Sequence, residues 1–247
     1  MIKGLLFFIL QFICNIIWSP LMCTPPANAH FKIDLTPEYD DSYTADLDPF
    51  APHGLKTAYL SSVLVQIFKD GVPMGSGSGN YFKLGKHRFI ITAAHVVENT
   101  DEIIILEKGY TMVEADVVYR DANSDIAILV PRKKLQYTKA IPFRRDINNQ
   151  IGEKVYHCGH PAREGWHISA GLLTGTHPAT LLVNTFAWPG SSGSVLFDES
   201  GRVLGVLSAI RVDGPFGFPD MVEHIVLVSN IKMIDQKTLK EVLRNGG

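Results

Sequence analysis

From residue 58 onward, short apolar and β-branched runs alternate with turn residues along most of the chain. Residues 58–68, 76–82, 89–92, 102–106, 113–120 and 126–130 form a first series, punctuated by Asp70-Gly71 and Lys108-Gly109, dipeptides that favour hairpin turns. Residues 154–159, 168–174, 180–184, 194–197, 203–209 and 221–228 form a second, with Gly152, Gly201 and Gly205 at turns or close approaches. Six such strands in about seventy residues suit a small closed antiparallel sheet. The pattern therefore predicts an all-β chain of two six-stranded antiparallel β-barrels, over residues 58–138 and 139–228. After Ser229-Asn230, a good N-cap pair, the spacing of Ile231, Ile234, Leu239, Val242 and Leu243 predicts a C-terminal α-helix within 229–247.

The first 29 residues follow a different logic. Lys3 supplies a positive start, an apolar run from 5 to 18 is broken only by Gln11 and Asn15, and Ala27-Asn28-Ala29 closes a proline-rich stretch with small residues. These features predict a secretory signal peptide cleaved after Ala29, and hence a secreted or periplasmic product. The apolar run is short for a membrane span, so membrane contact is expected only if the segment is retained as an anchor. Residues 30–57, with Asp34, Glu38, Asp40, Asp41, Asp46 and Asp48 among prolines, read as an acidic extension without periodicity.

Composition narrows the function classes. With 247 residues, 46% of them apolar, the chain can bury a sizeable core. Lysine and arginine (23) nearly balance aspartate and glutamate (25), and no basic stripe occurs, so nucleic acid is not an expected partner. Once the leader is removed Cys158 stands alone, which leaves no internal disulfide and makes packing the source of stability.

Candidate chemistry begins at Ala187-Trp188-Pro189-Gly190-Ser191-Ser192-Gly193-Ser194, a turn of small residues running into the apolar strand at 195. Glycines allow backbone conformations and close approaches that a β-carbon forbids, so successive N–H groups can converge on one small space. If the Ser192 oxygen attacks a carbonyl, the amides of Gly190 and Ser192 are natural donors to the developing oxyanion. Taken alone the segment also fits an ordinary Gly/Ser hairpin loop. An activated serine needs a base and a group that orients the base. His95 ends the β-rich run 89–92 after small residues, and Asp125 opens the apolar run 126–130. Ser191 and Ser194 compete with Ser192 as nucleophile, and Asp121 competes with Asp125, although Asp121 is better explained as a turn former. His157, Cys158, His160 and His167 form a possible metal set. Neighbours on a strand point to opposite faces, however, so His157 and Cys158 do not share an ion, and no metal or other cofactor is expected.

Thr92-Ala93-Ala94-His95, Ser124-Asp125-Ile126-Ala127 and Pro189-Gly190-Ser191-Ser192-Gly193 resemble the three catalytic signatures of trypsin-like serine peptidases with the chymotrypsin fold. Gly75-Ser76-Gly77-Ser78-Gly79, Gly159-His160-Pro161, Ser169-Ala170-Gly171 and Val228-Ser229-Asn230 extend the resemblance to the HtrA branch, across roughly residues 59–240 and without a PDZ module. The resemblance implies a serine endopeptidase acting on polypeptides through an acyl-enzyme, its site in the crevice between the barrels. It implies Ser192 as nucleophile, His95 as general base and then acid, and Asp125 as the group that fixes the imidazole. Gly190, Ser191 and Ser192 would form the oxyanion hole, Leu207, Ser208 and Ala209 would form the strand that pairs with substrate backbone, and Phe186 with Ala187 would line the primary side-chain pocket. No aspartate lies between Leu181 and Ser192, so a small or medium apolar residue is expected on the acyl side of the cut bond. Aromatic residues in the acidic extension could also pack a homotrimer, as in HtrA relatives. A rival class is a peptide-binding pseudoprotease that keeps the cleft and does not turn over; the complete triad argues against it.

Overall fold

The computed structural model describes residues 47–246, apart from 147, 164 and 214–219. The expected leader and residues 30–46 of the expected extension lie outside the described residues. The first strands are β1 (Ser62–Lys69), β2 (Val72–Leu84), β3 (His87–Thr92), β4 (Glu102–Leu106), β5 (Met112–Asp121), β6 (Ile126–Pro131) and the short β7 (Ile141–Pro142). They run in the order β1-β4-β5-β6-β3-β2, and pairing of β1 with β2 closes the ring, leaving β7 as a parallel addition to β2. Asp70 (φ 50°) and Gly71 (φ 75°) make the two-residue turn between β1 and β2, the conformation that the Asp-Gly pair favours in hairpins.

A second closed barrel, in the order β10-β13-β12-β11-β8-β9, is built from β8 (Lys154–Gly159), β9 (His167–Thr176), β10 (Thr180–Asn184), β11 (Val195–Asp198), β12 (Val203–Asp213) and β13 (Asp220–Asn230). Val155, Leu173, Leu181, Val183, Leu196, Leu204, Leu207, Val226 and Val228 make one buried cluster, all from this barrel. A larger cluster joins the two barrels: Phe82 and Phe89 from the first pack with Phe143 in the connection and Phe197 in the second. Strand β11 serves both clusters. Alternation of side chains sends Leu196 to the second barrel's cluster and Val195 and Phe197 to the joint, so the strand directly after the Gly/Ser segment is packed on both faces.

Two elements differ from the sequence pattern. Residues 58–61, expected as strand, complete a helix α1 (His53–Ser61), which also takes up the end of the expected extension. Its buried positions are Gly54, Thr57, Ala58 and Ser61, small residues at helical spacing that give no apolar stripe to read. They allow an approach so close that a Cβ on Gly54 would fall 1.9 Å from the Asp198 carbonyl oxygen. The C-terminal helix α2 (Gln236–Asn245) starts later than the Ser229-Asn230 signal suggests. Asn230 instead caps the 3-10 turn Ile231–Met233, and Asp235 caps α2, accepting from the backbone N–H groups of Lys237 (2.7 Å) and Thr238 (2.9 Å).

Candidate active site

His95 lies in the 3-10 turn Ala94–Val97 that follows β3, and the buried Ala93 and Ala94 leave the backbone close against the barrel. Asp125 ends the turn from β5 into β6 with φ 50°, a conformation uncommon outside glycine but tolerated by Asp and Asn. Asp121 shapes the same turn, accepting from the Asn123 N–H (2.9 Å) and the Ser124 hydroxyl (2.6 Å), so its carboxylate is used locally. The Asp125 carboxylate accepts from both the backbone N–H (2.9 Å) and ring Nδ1 (2.8 Å) of His95, and from the Ser208 hydroxyl. Burial pushes the Asp125 carboxyl up, but the hydrogen bond and charge of His95, with the Ser208 hydroxyl and the His95 amide, outweigh it and hold the group below the usual carboxylate range. The Nδ1 contact with Asp125 leaves His95 Nε2 without a hydrogen bond among the described residues.

Glycine 193, with φ 89°, brings the Gly/Ser segment against the first barrel; a Cβ there would lie 2.1 Å from the Ser78 carbonyl oxygen and 3.0 Å from the Ala93 nitrogen. A Cβ on Gly77 would touch both Val96 (2.6 Å) and the Ser192 carbonyl oxygen (2.9 Å), so the segment and the His95 turn share the same seam. Ser192 is half-buried, whereas its rivals are committed elsewhere. Ser194 is fully buried and donates to the Ser191 carbonyl (2.6 Å), and the buried Ser191 hydroxyl accepts from the Trp188 N–H (3.3 Å). Among the described residues no hydrogen bond joins the Ser192 hydroxyl to the His95 ring; such contacts often tighten only when substrate is bound. The Ser191 N–H donates to the Trp188 carbonyl (2.8 Å), which removes it from the three-residue oxyanion set expected above. The amides of Gly190 and Ser192 have no partner among the described hydrogen bonds.

A family model described as a trypsin-like peptidase domain matches residues 77–206, the span that holds His95, Asp125 and Ser192. The chain belongs to that family. This trypsin-like peptidase chain is 30% identical over 154 residues to Protease Do-like 1, chloroplastic, of Arabidopsis thaliana, an alignment that covers 56% of the chain and 34% of the relative. It is 28% identical over 174 residues to a probable periplasmic serine endoprotease DegP-like of Rhizobium meliloti (strain 1021), covering 65% of the chain and 34% of the relative. The chain thus spans about a third of the length of these curated relatives. Its fold is similar to that of the serine endoprotease from Yersinia pestis (TM-score 0.62, 23% identity, 78% of this chain and 66% of that one). It is also similar to the HtrA-type protease AlgW with tripeptide (TM-score 0.63, 19% identity, 78% and 63%).

Within this trypsin-like peptidase, the residues expected to contact substrate divide. Leu207, expected to pair with substrate through its backbone, is 2% exposed with its side chain in the second barrel's core; its N–H donates to the Ser194 carbonyl (2.9 Å) and its carbonyl accepts from the Gly193 N–H (2.8 Å), so both backbone groups are engaged within the chain. The register between β12 and β13 shifts at the next residue. Alternation along β12 puts Ser208 on the face opposite Leu207, the face of Val206 toward the joint, where its hydroxyl reaches Asp125, a contact that sequence reasoning missed because its partner is distant in the chain. Phe186 is exposed with its ring against His167, and Ala187 packs on the second core. His157 and Cys158 lie on opposite faces of β8, His157 reaching the Phe186 carbonyl (3.0 Å) and Cys158 the inter-barrel cluster. The carboxylates of Asp146, Glu153 and Asp198 approach one another, but Arg202 supplies their positive charge, 2.7 Å from Asp146 and 2.6 Å from Asp198.

Proposed function

We propose that the chain is an exported serine endopeptidase that hydrolyses polypeptides through an acyl-enzyme, with Ser192 as nucleophile and the ionised Asp125 holding His95 by Nδ1. The observation that carries this reading is the His95–Asp125 pair at 2.8 Å on the seam where the Gly/Ser segment leaves the amides of Gly190 and Ser192 without a partner among the described residues. In the reaction the Ser192 hydroxyl attacks the scissile carbonyl as His95 Nε2 takes its proton. The imidazolium, balanced by Asp125, then passes that proton to the leaving amine. The Gly190 and Ser192 amides receive the carbonyl oxygen as it gains charge. Water repeats the sequence on the ester and frees the enzyme. Family membership supports the reaction class. Export is supported by the leader-like residues 1–29 and by relatives named as periplasmic. An apolar acyl-side residue fits the exposed Phe186 and the absence of an aspartate between Leu181 and Ser192.

The deciding experiment is labelling of the purified chain with a fluorophosphonate, together with hydrolysis of an unfolded protein substrate. Labelling is expected in the wild type and absent in Ser192→Ala, whose turnover should fall about a million-fold. Asp125→Asn should cost about ten-thousand-fold by favouring the wrong imidazole tautomer. Labelling that survives Ser192→Ala rejects the assigned nucleophile.

A further inference from the structure

The glycine-rich stretch before His95 contains a serine with no part in the chemistry just described. Ser78 is fully buried on β2, and its N–H and hydroxyl make three hydrogen bonds to the Gly/Ser segment and its neighbours. Its N–H donates to the Ser192 carbonyl (2.7 Å), its hydroxyl donates to the Gly190 carbonyl (2.7 Å), and the same hydroxyl accepts from the His160 N–H (2.9 Å). The Ser78 carbonyl is in turn held by the Thr92 hydroxyl (2.7 Å).

The carbonyls on either side are also anchored. Pro189 accepts from the Ala162 N–H (2.9 Å), and Ser191 accepts from the Ser194 N–H (3.0 Å) and hydroxyl. In a trans peptide the N–H points opposite to the C=O of the same planar unit. Holding the carbonyls of Pro189 and Ser191 therefore aims the amides of Gly190 and Ser192 away from those anchors. The unit between them, from the Gly190 carbonyl to the Ser191 N–H, sets the angle between the two donors. Its nitrogen side is held by the Ser191 N–H bond to the Trp188 carbonyl (2.8 Å), while on its carbonyl side Gly190 (φ 103°) carries no side chain to resist rotation. What stops that unit on its carbonyl side is the Ser78 hydroxyl, reaching across from the first barrel.

We infer that Ser78 is a positioning residue for the oxyanion site: by bridging the His160 N–H and the Gly190 carbonyl it locks the Gly190–Ser191 peptide unit and keeps the Gly190 and Ser192 amides convergent. The inference rests on the serine-peptidase reading above and adds a residue whose contacts are with backbone groups of the Gly/Ser segment and its neighbours, the Ser192 carbonyl included, and not with the reacting side chains. Ser78→Ala leaves the buried His160 N–H and the half-buried Gly190 carbonyl without this partner, beside a glycine that can rotate to relieve the loss.

The test compares wild type, Ser78→Ala and Ser78→Thr, each normalised by active-site titration, using a peptide ester, a peptidyl boronate and the matching non-covalent peptide. Loss of one oxyanion donor costs about a hundredfold or more in kcat elsewhere, so Ser78→Ala should lower kcat per active site by about a hundredfold. Boronate affinity should fall in parallel, because the tetrahedral adduct uses the same donors, while KM and peptide affinity change little. Ser78→Thr, which keeps the hydroxyl, should recover most of the loss. If Ser78→Ala does not accumulate as folded protein, Ser78→Cys carries the same comparison with a weaker donor. Unchanged kcat and boronate affinity per active site overturn the inference, and so does an equal loss of boronate and simple peptide binding, which marks a purely structural role. A wild type that reacts with neither fluorophosphonate nor ester overturns the peptidase reading itself, and the inference with it.

Discussion

Two buried histidines show how single residues set the working range of this chain. His157, fully enclosed in the second barrel, has its pKa lowered to about 4, chiefly by burial and against the Phe186 carbonyl that favours its charged form. His160 is lowered to about 3, by burial first and then by the charge of Lys108. Both bind a proton more readily in the unfolded chain, so both favour the fold fully above pH 6.5, and that contribution is lost as pH falls from there through 4 and 3. For His157 alone the shift corresponds to roughly 3 kcal/mol. The urea midpoint should therefore drop steeply between pH 7 and 4. His160→Phe, which keeps a ring against Trp166, should flatten that slope. An equal slope in both proteins would remove His160 from the account. The same scale shows what can be read without coordinates. The candidates His95, Asp125 and Ser192 sit in short segments whose small residues and flanking strands are local, so the sequence marks them as candidates. Ser208 and Ser78 hydrogen-bond partners 83 and 112 positions away, Asp125 and Gly190, and no local residue pattern specifies those partners.

Among elements, legibility follows the size of the buried side chains. Strand positions were largely evident because Val, Ile and Leu fill both barrels. Helix α1 was missed because its buried face is made of Gly54, Thr57, Ala58 and Ser61, whose use is close approach and not apolar area. Helix α2 is legible from its apolar spacing, but its start is not, because Asn230 and Asp235 are both competent caps and only packing decides which turn becomes α-helical. Leu239 and Leu243 carry that packing, each 1% exposed within the cluster that joins the barrels. Leu239→Ala should destabilise the protein by about 3 kcal/mol, as a buried leucine truncation does. Because α2 packs on β3, which leads into the His95 turn, the activity of the folded fraction should persist at 25 °C while its loss moves to lower temperature. Thermal scans read alongside initial rates would check both halves. A variant of unchanged stability would mean that α2 is peripheral.

At the scale of the molecule, the proposed chemistry depends on a joint. His95 and Asp125 belong to the first barrel and Ser192 to the second, so their alignment is only as rigid as the contact between barrels. That contact is a ring cluster centred on Phe82, with Phe89 at 5.8 Å, Phe143 edge-on at 5.4 Å and Phe197 at 6.1 Å between centroids. It is reinforced by polar ties: the Asn80 amide oxygen accepts from the Val195 N–H (2.9 Å), and the Trp166 indole donates to the Ser62 carbonyl (3.0 Å). A continuous apolar core with these ties predicts that the barrels unfold together. Urea transitions followed by tryptophan fluorescence, to which Trp166 contributes from the joint, should coincide with those followed by far-ultraviolet circular dichroism and with loss of fluorophosphonate labelling. Phe82→Ala should lower stability by about 4 kcal/mol and shift all three curves together. If instead the fluorescence and labelling transitions separate from the loss of secondary structure, the barrels hold their folds independently. The joint would then be the weakest link in the proposed site, and the geometry of His95 and Ser192 would be set by barrel docking more than by barrel stability.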